Sequence, residues 1–165
     1  MPTSNNDVDN KIIAGIVARE GGFVNDPQDK GGRTFEGISE KSNPDAWKNG
    51  QPSEAQVRQI YQQRYVSGPG FDNITDTQLR TQLVDYGVLS GPMIAIQKLQ
   101  GILKIPLDGV LGPVTLSALA TVHPEDVNNL LVAARVKMIG QIVVKNPTQL
   151  KFLNSWLDRA LQFLK

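Results

Sequence analysis

Apolar residues recur along most of this chain at helical spacing, and the segments that break the pattern are short and rich in turn-forming residues. Over residues 9–19, Ile12, Ile13, Ile16 and Val17 share one face, with Asp9 or Asn10 as cap and Gly21-Gly22 as the stop. Residues 23–39 behave differently. There, short Phe/Val/Ile pieces alternate with Asn25-Asp26-Pro27 and Gly31-Gly32, which predicts a small β-hairpin. Helix returns over 53–65, where Ser53 caps, Gln56 completes a capping box, and Val57, Ile60, Tyr61 and Tyr65 form the apolar stripe. Gly68-Pro69-Gly70 breaks that helix, and beyond Thr75 one helical segment follows another: 79–88, 92–103 and 113–120. Pro147 divides the last two, 126–145 and 148–164, and the final one is expected to bury Leu150, Leu153, Leu157, Ala160, Leu161 and Leu164. The predicted fold is mainly α, an α+β arrangement of a helical bundle lobe and a small N-terminal β-hairpin lobe.

Composition narrows the chemistry. The 165 residues suit one domain or two small lobes, and 40% hydrophobic content is that of a folded chain. Without cysteine there are no disulfides, thiolate metal sites or thiol nucleophiles. The polar start MPTSNNDVDNK has no basic, then apolar, signal pattern, and no apolar stretch is expected to span a membrane. Net charge is +1 but uneven: residues 1–84 hold nine Lys/Arg against eleven Asp/Glu, and residues 85–165 hold eight against five. From Val127 onward the count is six against one, so the basic C-terminal helices are a candidate contact for an anionic outer-membrane surface, although a solvated helix face accounts for the same charges. No phosphate-binding glycine loop is present, and no nucleic-acid partner is expected.

The candidate chemistry lies between Arg19 and Ser39, where Glu20 is followed nine residues later by Asp29 and five further on by Thr34. Glycosidic cleavage needs an acid and, in most enzymes, a second carboxylate to manage water or the charge on the sugar. Glu20 falls at the end of the first helix, facing its partial negative charge, a setting suited to a proton donor. Each residue also has a plainer reading: a solvated helix-end glutamate for Glu20, a turn aspartate for Asp29, and an ordinary strand residue for Thr34. Glu36 competes with Asp29 as second carboxylate, because strand alternation places Thr34 and Glu36 on one face and Phe35 on the other. Asn25, Asp26 and Asp29 lack the spacing of a calcium loop, and His123, the single histidine, has no partner, so no metal is expected.

The run E-G-G-F-V-N-D-P-x-D-x-G-G-x-T-x-x-G-I-S from Glu20 to Ser39 resembles the signature of family 108 glycoside hydrolases, N-acetylmuramidases of phages, prophages and bacteria. Leu99-Gln100 and Asp108-Gly109-Val110-Leu111-Gly112-Pro113-Val114-Thr115 resemble the peptidoglycan-binding module that follows in that family, and Trp156 to Arg159 its closing helix. The chain departs from the pattern at Glu36, where a tyrosine is common, at Val66, where tryptophan is common, and at Leu89 in place of asparagine. The order Glu, Asp, Thr is also similar to that of phage lysozymes.

The resemblance implies a catalytic muramidase lobe over 1–80 and a helical, peptidoglycan-binding-like lobe over 81–165. It implies hydrolysis of the β-1,4 bond between N-acetylmuramic acid and N-acetylglucosamine, with Glu20 as general acid and Asp29, with Thr34, positioning water or stabilising charge. Glu36, Phe35 and Tyr86 are the substrate-binding candidates, and no cofactor is required. The setting it suggests is an endolysin: a monomer made in the host cytoplasm, released through a holin and acting on the wall in the periplasm. A secreted effector is a second setting. The rivals are a lytic transglycosylase, against which Asp29 and Thr34 argue, and a non-catalytic wall-binding or phage structural protein.

Overall fold

The computed structural model describes residues 5–24 and 33–165, arranged as two compact units, Met1–Gly68 and Pro69–Lys165. In the first unit, α1 (Asn5–Glu20) ends at Gly21, whose φ of +82° is open to glycine at no steric cost. Three two-residue strands follow, β1 (Phe23–Val24), β2 (Thr34–Phe35) and β3 (Ile38–Ser39), in an antiparallel sheet of that order. Phe23 lies opposite Phe35, and Thr34 opposite Ser39. After the short α2 (Pro44–Trp47) comes α3 (Glu54–Tyr61), with the expected capping box: Ser53 Oγ accepts from the Gln56 amide at 3.3 Å, and Gln56 Oε1 from the Ser53 amide at 2.9 Å. A π-helical turn, Gln62–Ser67, continues it. α1 packs on α3 and this turn, burying Ile12, Ile13, Ile16, Val57, Tyr61 and Val66.

Two expectations fail here. α1 begins at Asn5, so Asp9 is no cap; it sits inside the helix, 2% exposed, and its Oδ2 accepts from Gln62 Nε2 at 3.4 Å. The second helix is α only to Tyr61, because its last turn widens to π geometry.

The second unit opens with a 3₁₀ turn, Phe71–Asn73, then α4 (Thr77–Ser90), α5 (Pro92–Leu103), α6 (Pro113–Leu119) and α7 (Pro124–Lys145). A 3₁₀ segment, Pro147–Phe152, leads into α8 (Leu153–Leu161). Asp76 caps α4, its Oδ1 accepting from the Leu79 amide at 2.8 Å. α7 is the hub, packing on α4, α5 and α8. The core holds Phe71, Leu79, Leu83, Tyr86, Leu99 and Leu131, each worth about 1.5–3 kcal/mol in transfer from water if leucine- or phenylalanine-sized.

The last helix departs from its predicted stripe. Its first turn is 3₁₀, with three residues per turn, so Leu150 swings out; the helix stops at Leu161, so Leu164 is exposed as well. Leu161, one residue round from fully buried Ala160, also faces out, and Phe163 takes the inward place, its carbonyl accepting from Asn128 Nδ2 (2.6 Å) and Gln78 Nε2 (3.0 Å). The expectation about apolar stretches needs correction too: by length and composition α7 could cross a membrane. In this fold it instead buries Val127, Leu131, Val132, Arg135 and Ile139 among neighbouring helices.

That core contains charge. Asp85 of α4 is fully buried; its Oδ2 accepts from Arg135 Nη2 of α7 at 2.8 Å, and its Oδ1 from Arg159 Nε of α8 at 3.0 Å. Removing one partner of such a cluster leaves a buried charge uncompensated. Asp85→Leu is therefore expected to lower unfolding stability by about 3–5 kcal/mol, read from urea midpoints, and adding Arg135→Met should return part of that loss.

Candidate active site

β2 and β3 are joined by the two residues Glu36 and Gly37, with φ of +47° and +80°. Two left-handed residues in succession make the type I′ hairpin turn, whose twist matches that of the strands. Glu36 therefore lies in a turn and not in a strand, and alternation does not place it on the face of Thr34. A non-glycine residue in this conformation costs about 1–2 kcal/mol, so something must hold it. Tyr61 of α3 does: its hydroxyl donates to the Glu36 carbonyl oxygen at 3.1 Å.

Gly37 has no freedom to be anything else. Besides its positive φ, an added Cβ would stand 2.5 Å from the Tyr61 hydroxyl, 3.4 Å from Glu20 Cβ and 3.5 Å from Glu20 Cγ. The end of α1, the β2–β3 turn and the hydroxyl of α3 thus converge on one spot, with the half-buried Glu20 at its centre. Glu36 is half-buried, and its Oε2 is shielded from solvent with no hydrogen-bond partner among the described residues. This brings two glutamates to one turn-and-helix junction through their backbone neighbours.

The other candidates are spread more widely. Thr34 is half-buried in β2, opposite Val24 and Ser39, and Phe35 is half-buried between Phe23 and Ile38. Asp29 lies outside the described residues, as do Asn25, Asp26, Gly31 and Gly32. Tyr86 belongs to the second unit, fully buried, with its hydroxyl donating to Met138 Sδ at 3.5 Å and the Arg135 guanidinium 5.1 Å from its ring centre. Burial pushes its hydroxyl pKa up, against the pull of Arg135, so it remains neutral. Among the described residues no three His, Asp or Glu side chains are grouped as a metal ion would require.

Sequence reasoning assigned Tyr61 to the apolar stripe and missed its positioning role. The available signal was the hydroxyl itself, which a buried tyrosine must satisfy. A second support was missed as well. Arg33, at the foot of β2, grips Glu40 with two hydrogen bonds, Nε to Oε2 at 2.9 Å and Nη2 to Oε1 at 2.8 Å, and lies 5.0 Å from the ring centre of Trp47. Trp47 in turn donates from its indole to the Ile38 carbonyl at 3.2 Å. The hairpin is thus fastened on both sides.

Residues 13–91 match the sequence model of the family described as Glycosyl hydrolase 108, and residues 93–161 the one described as Predicted Peptidoglycan domain. The chain belongs to glycosyl hydrolase family 108. Among solved structures it is similar to SagA of Brucella abortus, at 26% identity over 96% of each chain and a TM-score of 0.69. No curated protein matches it in sequence. A glycosyl hydrolase domain followed by a peptidoglycan domain makes this a peptidoglycan-cleaving glycoside hydrolase of the N-acetylmuramidase type.

Within the peptidoglycan domain, the Asp108–Pro113 loop is organised by Gln100, 1% exposed on α5. Its amide nitrogen lies 2.6 Å from Asp108 Oδ1 and 3.0 Å from the Val110 carbonyl, while its oxygen accepts from the Gly109 amide at 2.9 Å. Hydrogen bonds from the Val110 amide and from Gln100 hold the Asp108 carboxyl below the usual carboxylate range. The family-typical spacing here is that of a loop tied to a buried amide. Of the departures noted in sequence, Val66 is fully buried and belongs to packing, whereas Leu89 is 45% exposed.

Two outcomes follow for the site. Tyr61→Phe removes the hydroxyl that holds the Glu36 carbonyl, so it should cost about 0.5–1.5 kcal/mol in stability while lowering wall-lytic activity in the still-folded enzyme. Arg33 hydrogen bonds hold the Glu40 carboxyl below its ordinary value. A depressed carboxyl stabilises above its unfolded value, about 4.3, and loses that contribution as pH falls through the folded value. The small melting-temperature advantage of wild type over Glu40→Gln should therefore be present at neutral pH and shrink progressively as pH falls below the ordinary carboxyl value of about 4.3.

Proposed function

We propose that this hydrolase cleaves the β-1,4 bond between N-acetylmuramic acid and N-acetylglucosamine, with Glu20 protonating the leaving oxygen. The observation that carries the reading is the placement of Glu20: the last residue of α1, half-buried, its stem packed against Gly37 of a turn that Tyr61 holds in place. A general acid must be held in a fixed pose at the scissile oxygen, and three elements converging on one carboxyl stem supply that pose. Asp29, with Thr34, takes the second role, positioning water or stabilising the positive charge on the sugar. Glu36 is the competing second carboxylate, favoured by a shielded oxygen that has no hydrogen-bond partner among the described residues and by its place in the same turn. Phe35, in the strand leading to that turn, offers an apolar face to a sugar ring. Lysis of a host wall after passage through a holin, as an endolysin, is the setting we attach to this activity.

Turbidity of outer-membrane-stripped Gram-negative cells tests the assignment directly. Wild type should clear them and Glu20→Gln should be slower by a factor on the order of 10²–10⁴ while remaining folded. Released sugars should carry reducing-end N-acetylmuramic acid; anhydro ends would instead identify a lytic transglycosylase. Asp29→Asn and Glu36→Gln, measured side by side, assign the second carboxylate to whichever variant loses activity.

A further inference from the structure

In the second unit, the C-terminal part of α4, the middle of α7 and α8 enclose a pocket of about 270 Å³ walled by Tyr86, Leu89, Met138, Ile142 and Trp156. Its one charged lining residue is Arg135, which is 2% exposed. Nη2 of that guanidinium is spent on Asp85, and Nη1 is buried with no hydrogen-bond partner among the described residues. Behind the pocket, Arg135 and Arg159 both hold the carboxylate of Asp85, so that carboxylate is shared between two guanidinium groups. A buried cationic N–H without an acceptor is costly, and an anionic oxygen is the group that relieves it best.

We infer that this pocket binds a carboxylate carried on a short apolar group, and that in the cell wall the ligand is the terminal carboxylate of a stem peptide with its alanyl methyl. The walls exclude a ligand with many polar atoms, since they are mostly aliphatic and aromatic. Phosphate, with three oxygens to satisfy, is a poor match for the one guanidinium nitrogen that lacks a partner among the described residues, when the Tyr86 hydroxyl is already turned to Met138. A carboxylate needs one charge-assisted contact, and the methyl beside it fits against Leu89 and Ile142. Arg135, Met138, Ile142 and Trp156 all fall within the peptidoglycan-domain match, so the inference rests on the peptidoglycan reading and adds a peptide subsite to it.

Calorimetric titration of the full-length protein with N-acetyl-D-alanyl-D-alanine, its C-terminal amide, and decanoate tests this without turnover. An inactive enzyme and an empty pocket are thereby separate results. The acid should bind, and the amide should bind on the order of tenfold more weakly. Arg135→Met should abolish the difference but touches the buried ion cluster, so Ile142→Trp is the companion variant: Ile142 is 38% exposed at the pocket, and the larger ring should weaken acid binding at least tenfold with the fold intact. Equal binding of acid and amide, an unaffected Ile142→Trp, or no binding to either peptide at millimolar concentration overturns the inference. Binding of decanoate without the peptide overturns the wall-peptide source in favour of a lipid carboxylate.

Discussion

The carboxylate of Asp85 is the constraint on which the helical unit depends. Two arginines from different helices share this fully buried carboxylate, so α4, α7 and α8 must meet in one register. A slide of α7 by a single turn, about 5.4 Å, would carry Arg135 away from the carboxylate and leave its charge in an apolar core. Well-packed apolar residues would serve bulk stability as well or better, so the cluster acts as a locator more than as an adhesive. The cation is further seated between aromatic rings, with its guanidinium carbon 5.1 Å from the Tyr86 ring centre and 5.5 Å from that of Phe163. The cluster also changes the meaning of the basic C-terminal half. Two of the six cations counted from Val127 onward are committed to Asp85, while Lys137, Lys145, Lys151 and Lys165 remain exposed.

The first unit solves a different problem. Three strands of two residues each make too little sheet to stand alone. The hairpin is therefore tied to helices by side chains: Trp47 to the Ile38 carbonyl and Tyr61 to the Glu36 carbonyl, with the Arg33–Glu40 pair bracing its base. The left-handed residue Glu36 is followed directly by Gly37, where an added Cβ would stand 3.4 Å from Cβ of the proposed acid. Positioning of Glu20 is thus a property of α1, α3 and the turn together.

Local patterns in the sequence were enough for most of the helices. α5 runs over 92–103 as its proline and apolar spacing indicate, and the Ser53–Gln56 capping box forms as read. The family, too, was legible, because its signature from Glu20 to Ser39 is a contiguous run of chain. The errors cluster where a local rule met a non-local competitor. Asp9 has the composition of a cap and became a buried helix residue, and the final leucines follow helical spacing through a segment that starts as 3₁₀ and ends early.

Sequence alone therefore determined the mainly α class, the positions of most helices, the family and the identity of Glu20 as the residue to test. These rest on periodicity, capping and contiguous motif, all of which are short-range properties of a chain. Tertiary structure alone decided that Glu36 occupies a left-handed turn, that the Tyr61 hydroxyl pins it, and that Asp85 gathers Arg135 and Arg159 from 50 and 74 residues away. Such pairings obey no spacing rule. They exist because a buried donor or charge must find a partner wherever the fold places one, and that place is set by the packing of helices that are distant in sequence.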